Sequence, residues 1–242
     1  MEMGTFAIFA IALNMGEMEV RTEYEQEGTG ELFDAADLAL GVSFAKYFTD
    51  RFAFGINAKY IQQQIWQETA ETFAIDVGVI YHTELKNLSL GMALSNFGGK
   101  MQMQGKDLLH FHDKDPNIDG NNPQIISGWN TGEYDLPLVF RIGLAYDMIK
   151  NVDQRITLAF DGLTPNDYSE YLNAGIEYGF REMVFLRGGY KGIGVSDQEV
   201  GFSLGGGVNY AFDQSLKLKL DYAYTDYGRL EYAQRISLAI AF

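Results

Sequence analysis

The sequence predicts an all-β protein, an antiparallel up-and-down transmembrane β-barrel of about 12 strands. Three observations predict this fold. Apolar side chains alternate with small or polar ones, the alternating segments are about nine to thirteen residues long, and the connections between them alternate between short and long. Strands that cross a membrane need about 9–11 residues, whereas strands of globular proteins average about five or six.

The last strand shows the alternation most clearly. From Tyr232 to Phe242, one face receives the large apolar side chains, such as Ile236, and the other receives Arg235 and Ser237. A terminal aromatic residue suits the aromatic girdle with which outer-membrane barrels meet the lipid headgroups.

Eleven further segments repeat this pattern upstream. The predicted strands are residues 4–16, 36–48, 52–64, 70–82, 87–97, 136–148, 154–163, 169–180, 183–191, 199–211, 215–226 and 231–242. The short connections are residues 49–51, 83–86, 149–153, 181–182 and 212–214. Because barrels pair short periplasmic turns with longer outer loops, we expect residues 1–242 to form one barrel domain.

A soluble β-sandwich also alternates, so the second face of the strands decides between the two folds. That face is rich in glycine and alanine rather than in long charged side chains throughout. Small side chains suit the crowded interior of a barrel of this size, which favours the barrel.

Composition excludes several other classes. No run approaches eighteen apolar residues, which excludes a transmembrane helix, and the absence of cysteine excludes disulfides and thiolate metal sites. The net charge of −15 argues against nucleic acid as a partner. Acidic residues cluster between residues 17 and 37, where we expect a solvated loop.

One motif of hydrolases occurs in the chain. The segment from Gly201 to Gly205 matches the G-x-S-x-G pattern of a nucleophilic serine, which requires a strand-to-helix turn and a later histidine. The motif lies inside an alternating strand and no histidine follows His112, so we expect no enzyme activity.

A polar stretch in the longest connection resembles a calcium loop only weakly. Its oxygen-bearing side chains alternate at Asp113, Asp115, Asn117 and Asp119, but no glutamate stands at the twelfth position. The nearby His110 and His112 lack further zinc ligands, so a solvated loop is favoured and no cofactor is expected.

Charged residues of both signs fall on the face that we assign to the lumen. Mixed charge there favours paired networks that hold a barrel together, and a polar substrate path is the alternative interpretation. The residues predicted for this network are Lys59, Asp76, Arg141, Asp161, Glu177, Arg187 and Arg235, with Lys217, Lys219 and Asp221 on the same face.

Several segments resemble the PorV/PorQ family of outer-membrane proteins, relatives of the FadL-type long-chain fatty-acid transporters. The resemblance covers nearly the full chain in order. It runs through residues 37–41 (DLALG), 90–98 (LGMALSNFG), 136–143 (LPLVFRIG), 164–167 (TPND), 181–191 (REMVFLRGGYK) and 220–228 (LDYAYTDYG). The family barrel has fourteen strands and an N-terminal plug, so we expect the N-terminal part to lie upstream or the barrel to be reduced.

The resemblance implies a non-enzymatic component or cargo-shuttle protein of type IX secretion in the bacterial outer membrane. Its implied partners are outer-membrane lipid, proteins of the secretion translocon and the C-terminal domains of cargo. We expect the connection 97–135 to bind protein partners, because Phe111, Trp129 and Tyr134 offer aromatic anchors there.

Two other functions remain open. A FadL-like transporter of hydrophobic small molecules requires an apolar pocket in the lumen and a lateral opening, and the glycine and charge of the inward face argue mildly against it. A structural barrel without a transport role is the third possibility.

Overall fold

The computed structural model describes residues 4–85, 87–113, 125–195, 201–211 and 216–241, the side chains of Leu230 and Ala241 excepted. Within these ranges the chain forms strands joined by turns, with two short 3-10 turns at Lys106–Leu108 and Gly228–Leu230. The strands are β1 Thr5–Glu19, β2 Leu32–Thr49, β3 Phe52–Ile65, β4 Glu68–His82, β5 Leu88–Gly98, β6 Gln104–Gly105, β7 Leu109–His112, β8 Ile125–Gly128, β9 Val139–Lys150, β10 Gln154–Pro165, β11 Tyr171–Phe180, β12 Val184–Ile193, β13 Phe202–Ala211, β14 Lys217–Asp226 and β15 Tyr232–Ala241.

Twelve long strands follow one another in the sheet in chain order, β1-β2-β3-β4-β5-β9-β10-β11-β12-β13-β14-β15. The pairs with a described register are antiparallel, as in β10 with β11 and β14 with β15. This is the up-and-down arrangement that the alternation predicts, and each of the twelve predicted segments overlaps one long strand.

The chain divides into two compact units. The first comprises residues 1–45, 55–76 and 96–137, and its small core contains Ala70, Ala74, Met101 and Leu136. The second comprises residues 46–54, 77–95 and 138–242, and its paired strands run from β9 to β15. That residues 1–242 form a single domain stays a prediction.

The acidic loop predicted between residues 17 and 37 is shorter than expected. Strand β1 continues to Glu19 and β2 begins at Leu32, with an irregularity in their pairing between Asn14 and Glu17. The prediction of a loop was therefore wrong at both ends, because acidic side chains on the solvated ends of long strands remain hydrated while the backbone pairs.

The connection between β11 and β12 is a tight turn. Arg181 and Glu182 both have positive φ, 51° and 53°. Two successive residues of this kind fit a type I′ hairpin turn, whose twist matches that of the flanking strands. The Met183 amide closes the turn by donating to the Phe180 carbonyl at 3.0 Å.

Secondary structure also occurs in the connection 97–135, which the sequence predicts as one long loop. Strand β6 pairs with β4, and β7 pairs with β8 in a separate two-stranded sheet. Among the described residues, no helix is both long and apolar enough for a membrane span.

Candidate functional site: the two faces of the sheet

In the second unit, the large apolar side chains of β9 to β15 share one face of the sheet. They are widely exposed, for example Leu186 at 60%, Leu238 at 65% and Ile236 at 74%. Monomeric soluble proteins rarely expose contiguous apolar patches larger than about 300–600 Å². This apolar face therefore requires a nonpolar surrounding, such as the hydrocarbon of a membrane.

The opposite face carries a chain of charged side chains. Arg155 Nη2 donates to Glu177 Oε1 at 2.7 Å, and Arg187 Nε donates to Glu177 Oε2 at 2.6 Å. The other end of the Arg187 guanidinium donates from Nη1 to Asp221 Oδ1 at 2.6 Å. Strands β10, β11, β12 and β14 are thus connected by alternating charges, which we name the ion chain.

Glycine on β13 lets the ion chain cross that strand. Gly207 lies directly opposite Asp221 in the register, and Gly205 lies opposite Arg187. A Cβ atom at Gly207 would overlap Asp221 Oδ1 and lie 3.2 Å from Arg187 Nη1. Small residues on this face therefore make room for the long charged side chains of neighbouring strands.

Phe185 is an aromatic exception on the polar face. Its ring is only 4% exposed, and the guanidinium carbons of Arg155 and Arg187 lie 5.9 Å and 5.3 Å from its centroid. These distances suit cation–π contacts. The ring lies beside Gly179, where a Cβ atom would come within 3.2 Å of it.

Three of the other charged residues predicted for this face are not in the ion chain. Among the described residues, Arg141, Asp161 and Arg235 have no hydrogen bond or ion pair. Arg235 instead lines a cavity of about 270 Å³, together with Arg187 and Asp221.

In the first unit, Lys59 and Asp76 form the pair at the centre of a second polar cluster. Lys59 Nζ lies 2.7 Å from Asp76 Oδ1, and the two side chains are only 12% and 24% exposed. Asn57 Nδ2 donates to Asp76 Oδ2 at 2.8 Å, and the Asn96 amide donates to Asp76 Oδ1 at 2.7 Å. Three donors, from Lys59, Asn57 and Asn96, thus converge on the Asp76 carboxylate.

Asn96 lies near the end of β5, directly after Ser95, the last residue of β5 that pairs with β9. Its φ of 64° is unusual for a residue other than glycine, though asparagine tolerates it best. The side chain accepts from Lys59 Nζ at 2.5 Å and donates to the Pro137 carbonyl at 2.7 Å. These contacts fix the direction in which the following segment departs.

Residues 98–105, which we name the strap, pack against β4 on the face that carries Asp76. Cβ atoms at Gly98 and Gly105 would overlap the backbone of β4, so only glycine permits the approach. Met101 of the strap is 1% exposed and packs with Ala70 and Ala74. Part of the connection 97–135, which we expected to bind protein partners, therefore covers this face of β4.

The three aromatic residues predicted to bind partners lie in different surroundings. Phe111 and Trp129 are both 69% exposed, as a partner-binding surface requires. Tyr134 instead is fixed in the first unit, where its backbone pairs with Met101 and its hydroxyl donates to Gln63 Oε1 at 3.0 Å. Burial raises the pKa of Tyr134, and the nearby charge of Asp37 adds to the effect.

The weak metal candidates are only partly described. Asp115, Asn117 and Asp119 lie outside the described residues, and Asp113 has an interaction of its own. The rings of His110 and His112 are 6.4 Å apart, and His110 stacks on Trp129 at 4.9 Å. No group of three or more ligands suited to a metal occurs within the described ranges.

An apolar groove lies in the first unit, across β1, β2 and β3. Its volume is about 400 Å³ and its lining is Ile8, Phe9, Ala10, Leu40, Gly41, Val42 and Ala58. Alanine and glycine at three of these positions leave the space open, and each lining side chain is nonpolar.

Similarity to known proteins was found at the level of structure. No family model matches the sequence, and no curated protein matches it. The toluene transporter TbuX of Ralstonia pickettii superposes with a TM-score of 0.56 and 12% identity, over 98% of this chain and 76% of its own. The toluene transporter TodX of Pseudomonas putida superposes with a TM-score of 0.54 and 13% identity, over 98% and 77% of the two chains.

The chain has the transmembrane β-barrel fold of these transporters. The predicted fold class is thereby confirmed, and at this identity the likeness extends to the fold alone. No family match supports the PorV/PorQ assignment, which stays a resemblance.

Sequence reasoning missed several members of the polar clusters. Asp147 lies at the end of the ion chain, with its Oδ1 4.0 Å from Arg155 Nη1. Arg155 and Asp147 share the face of Arg141 and Asp161, so the alternation that identified those two could have identified them as well. Asn57 and Asn96 carry no charge, so a pattern of charged residues on one face does not identify them. Phe185 lies on the polar face, where the alternation predicts no aromatic residue. The guanidinium groups of Arg155 and Arg187 beside its ring explain this position.

Proposed function

We propose that this protein is a bacterial outer-membrane channel for hydrophobic small molecules, with monoaromatic hydrocarbons as the test substrates. The observation that carries the proposal is the apolar groove. The superposed structures are toluene transporters, and they share this chain's fold. A toluene molecule offers no hydrogen bond, so the site that suits it is one without polar side chains.

The groove meets this requirement, but it lies on the membrane side of the sheet and not in the lumen, where the FadL-like alternative was expected to have its pocket. Ile8, Leu40 and Val42 belong to the exposed apolar positions of β1 and β2. In a transmembrane barrel this face meets lipid, whereas the polar face lines the interior. A hydrophobic molecule that enters the groove therefore stays in apolar surroundings and is not forced through the charged clusters.

Filling the groove tests the proposal. Ala10→Leu adds three carbons to a lining residue, and Ala12→Leu adds them at an alanine two positions along β1 that does not line the groove. Uptake of labelled toluene is measured in cells that express each variant, with outer-membrane levels matched. We expect uptake above the empty-vector rate, lowered by Ala10→Leu and unchanged by Ala12→Leu.

Equal uptake in expressing and empty-vector cells would remove the proposal. Equal rates in the two variants would keep a channel but remove the groove from its path. Neither substitution introduces a polar group, so a loss of folding is checked simply by comparing the amounts inserted in the membrane.

A second candidate function is the secretion role that the PorV/PorQ resemblance implies. The exposed rings of Phe111 and Trp129 favour it, because protein interfaces are enriched in such anchors. In this role the protein would accompany the type IX translocon and bind cargo C-terminal domains. Co-purification in mild detergent, with and without residues 105–128, distinguishes this role from the channel.

A further inference from the structure

A second cavity lies in the first unit, between the strap and the β7–β8 hairpin. Its volume is about 300 Å³. The lining residues are Gln102, Met103, Gln104, Gly105, Leu108, Leu109, Gly128, Trp129, Asn130 and Thr131. It differs from the apolar groove because its walls combine amide side chains with an indole ring.

The walls of this cavity are fixed by hydrogen bonds. Gln102 Nε2 donates to Asn130 Oδ1 and to the Thr131 carbonyl, both at 2.7 Å. Thr131 Oγ1 donates to the Met103 carbonyl at 2.6 Å, and the Trp129 amide donates to the Leu108 carbonyl at 2.9 Å. The two sides are therefore held at a set separation before a ligand arrives, which lowers the entropic cost of binding.

Several polar groups of the lining remain available. Within the described ranges, Asn130 Nδ2, Gln104 Oε1 and Trp129 Nε1 have no hydrogen-bond partner. Together they offer two donors and one acceptor. A plain hydrocarbon would leave these groups unpaired, and an unpaired group in a filled cavity costs binding energy.

The charge and the size of the cavity limit the kinds of ligand that it can bind. None of the ten lining residues is charged, so an anionic or cationic ligand would find no counter-charge. His110 stacks on the Trp129 ring but does not line the cavity, which leaves the cavity side of the indole free. A cavity of about 300 Å³ is at the small end of ligand sites and has room for a single ring.

We propose that this cavity binds a neutral pyranose sugar. One face of a pyranose consists of C–H groups, which pack on an indole, and its hydroxyls both donate and accept hydrogen bonds. This combination matches the free groups of Trp129, Asn130 and Gln104. The site is separate from the apolar groove and does not depend on hydrocarbon transport.

Tryptophan fluorescence provides the test, because the chain has only two tryptophans. The Trp66→Phe variant makes Trp129 the sole tryptophan and serves as the parent protein. It is purified in an amine-oxide detergent, which carries no sugar, and titrated with glucose, galactose, mannose and maltose. We expect a saturable change with at least one of them, in the millimolar range typical of few contacts.

Two further variants test the assignment of the site. Gln104→Leu removes the free acceptor and only a long hydrogen bond of 3.5 Å, so the fold is kept. We expect it to weaken binding about tenfold, the effect of one hydrogen bond. Gln62→Leu, a substitution of the same kind on β3 outside the cavity, should leave binding unchanged.

The source of the sugar is distinguished by comparing maltose with dodecyl maltoside. Equal affinities indicate a free saccharide, and tighter binding of the glycoside indicates a glycolipid headgroup. No saturable change with any of the sugars would overturn the proposal. Equal binding by the parent and Gln104→Leu, or full competition by toluene, would overturn it as well.

Discussion

Removal of Arg187 should destabilise the protein more than removal of another arginine on the same face. Arg187 donates to Glu177 Oε2 and to Asp221 Oδ1, each at 2.6 Å. The substitution Arg187→Met keeps much of the side-chain length and removes both hydrogen bonds. Arg141→Met is the matched control, since Arg141 lies on β9 without an ion pair among the described residues.

The loss of stability depends on the partners that Glu177 and Asp221 retain when Arg187 is removed. Glu177 retains Arg155 at 2.7 Å, whereas among the described residues Asp221 retains only Lys219 at 3.7 Å. A hydrogen bond to a charged group contributes about 1.5–3 kcal/mol, so the loss of two would cost about 3–6 kcal/mol. Arg187 is 34% exposed, and water compensates part of this loss. We therefore expect about 2–3 kcal/mol for Arg187→Met and less than about 0.5 kcal/mol for Arg141→Met.

Equilibrium unfolding in guanidinium chloride, with the protein inserted in phospholipid vesicles, measures the difference. Tryptophan fluorescence reports the transition in both variants. Adding Asp221→Asn to Arg187→Met removes the carboxylate left with the weakest partner and should restore part of the stability. If the two arginine variants unfold at the same denaturant concentration, the ion chain does not stabilise the sheet as argued.

Two glycine substitutions test the close approaches on the polar face. Gly207→Ala should displace the Asp221 carboxylate and lower the free energy of unfolding by about 2 kcal/mol. Gly206→Ala, whose new Cβ would lie 3.6 Å from its nearest neighbour, should change it by less than about 0.5 kcal/mol in the same unfolding assay. Gly98→Ala should lift the strap from β4, whereas Gly132→Ala meets nothing within 4 Å and serves as its control. Hydrogen exchange of the amides in residues 98–113 measures the release, and equal protection in the two variants would show that the strap does not depend on this approach.

The alternation of side chains predicted the strands well because a sheet buries or exposes every second residue. It located all twelve long strands, and it placed Glu177 and Arg187 on one face, where they lie directly opposite each other. The same alternation also places their partner Arg155 on this face. It does not predict the contact of Arg187 with Asp221, because that contact crosses β13 and depends on glycine at position 207.

The connection 97–135 could not be predicted in this way. Its strands are too short to show a period, and β6 pairs with β4 through residues far apart in the sequence. The strap is held by the φ of Asn96 and by the space beside Gly98 and Gly105, neither of which a single sequence displays. For the same reason, the sequence does not predict the cavity between the strap and the β7–β8 hairpin, which we propose to bind a pyranose.

The central claim is that the apolar face of the sheet meets lipid and that the charged face does not. Because the chain has no cysteine, single cysteines can be introduced and spin-labelled at Leu144, Ile176 and Leu204 on one face and at Ala145, Gly175 and Ser203 on the other. Power-saturation EPR in vesicles then compares collisions with oxygen, which concentrates in hydrocarbon, and with a water-soluble nickel chelate. We predict preference for oxygen at the first three positions and a lower oxygen preference at the other three. Equal accessibility on both faces, or nickel preference at Leu144, Ile176 and Leu204, would contradict the account.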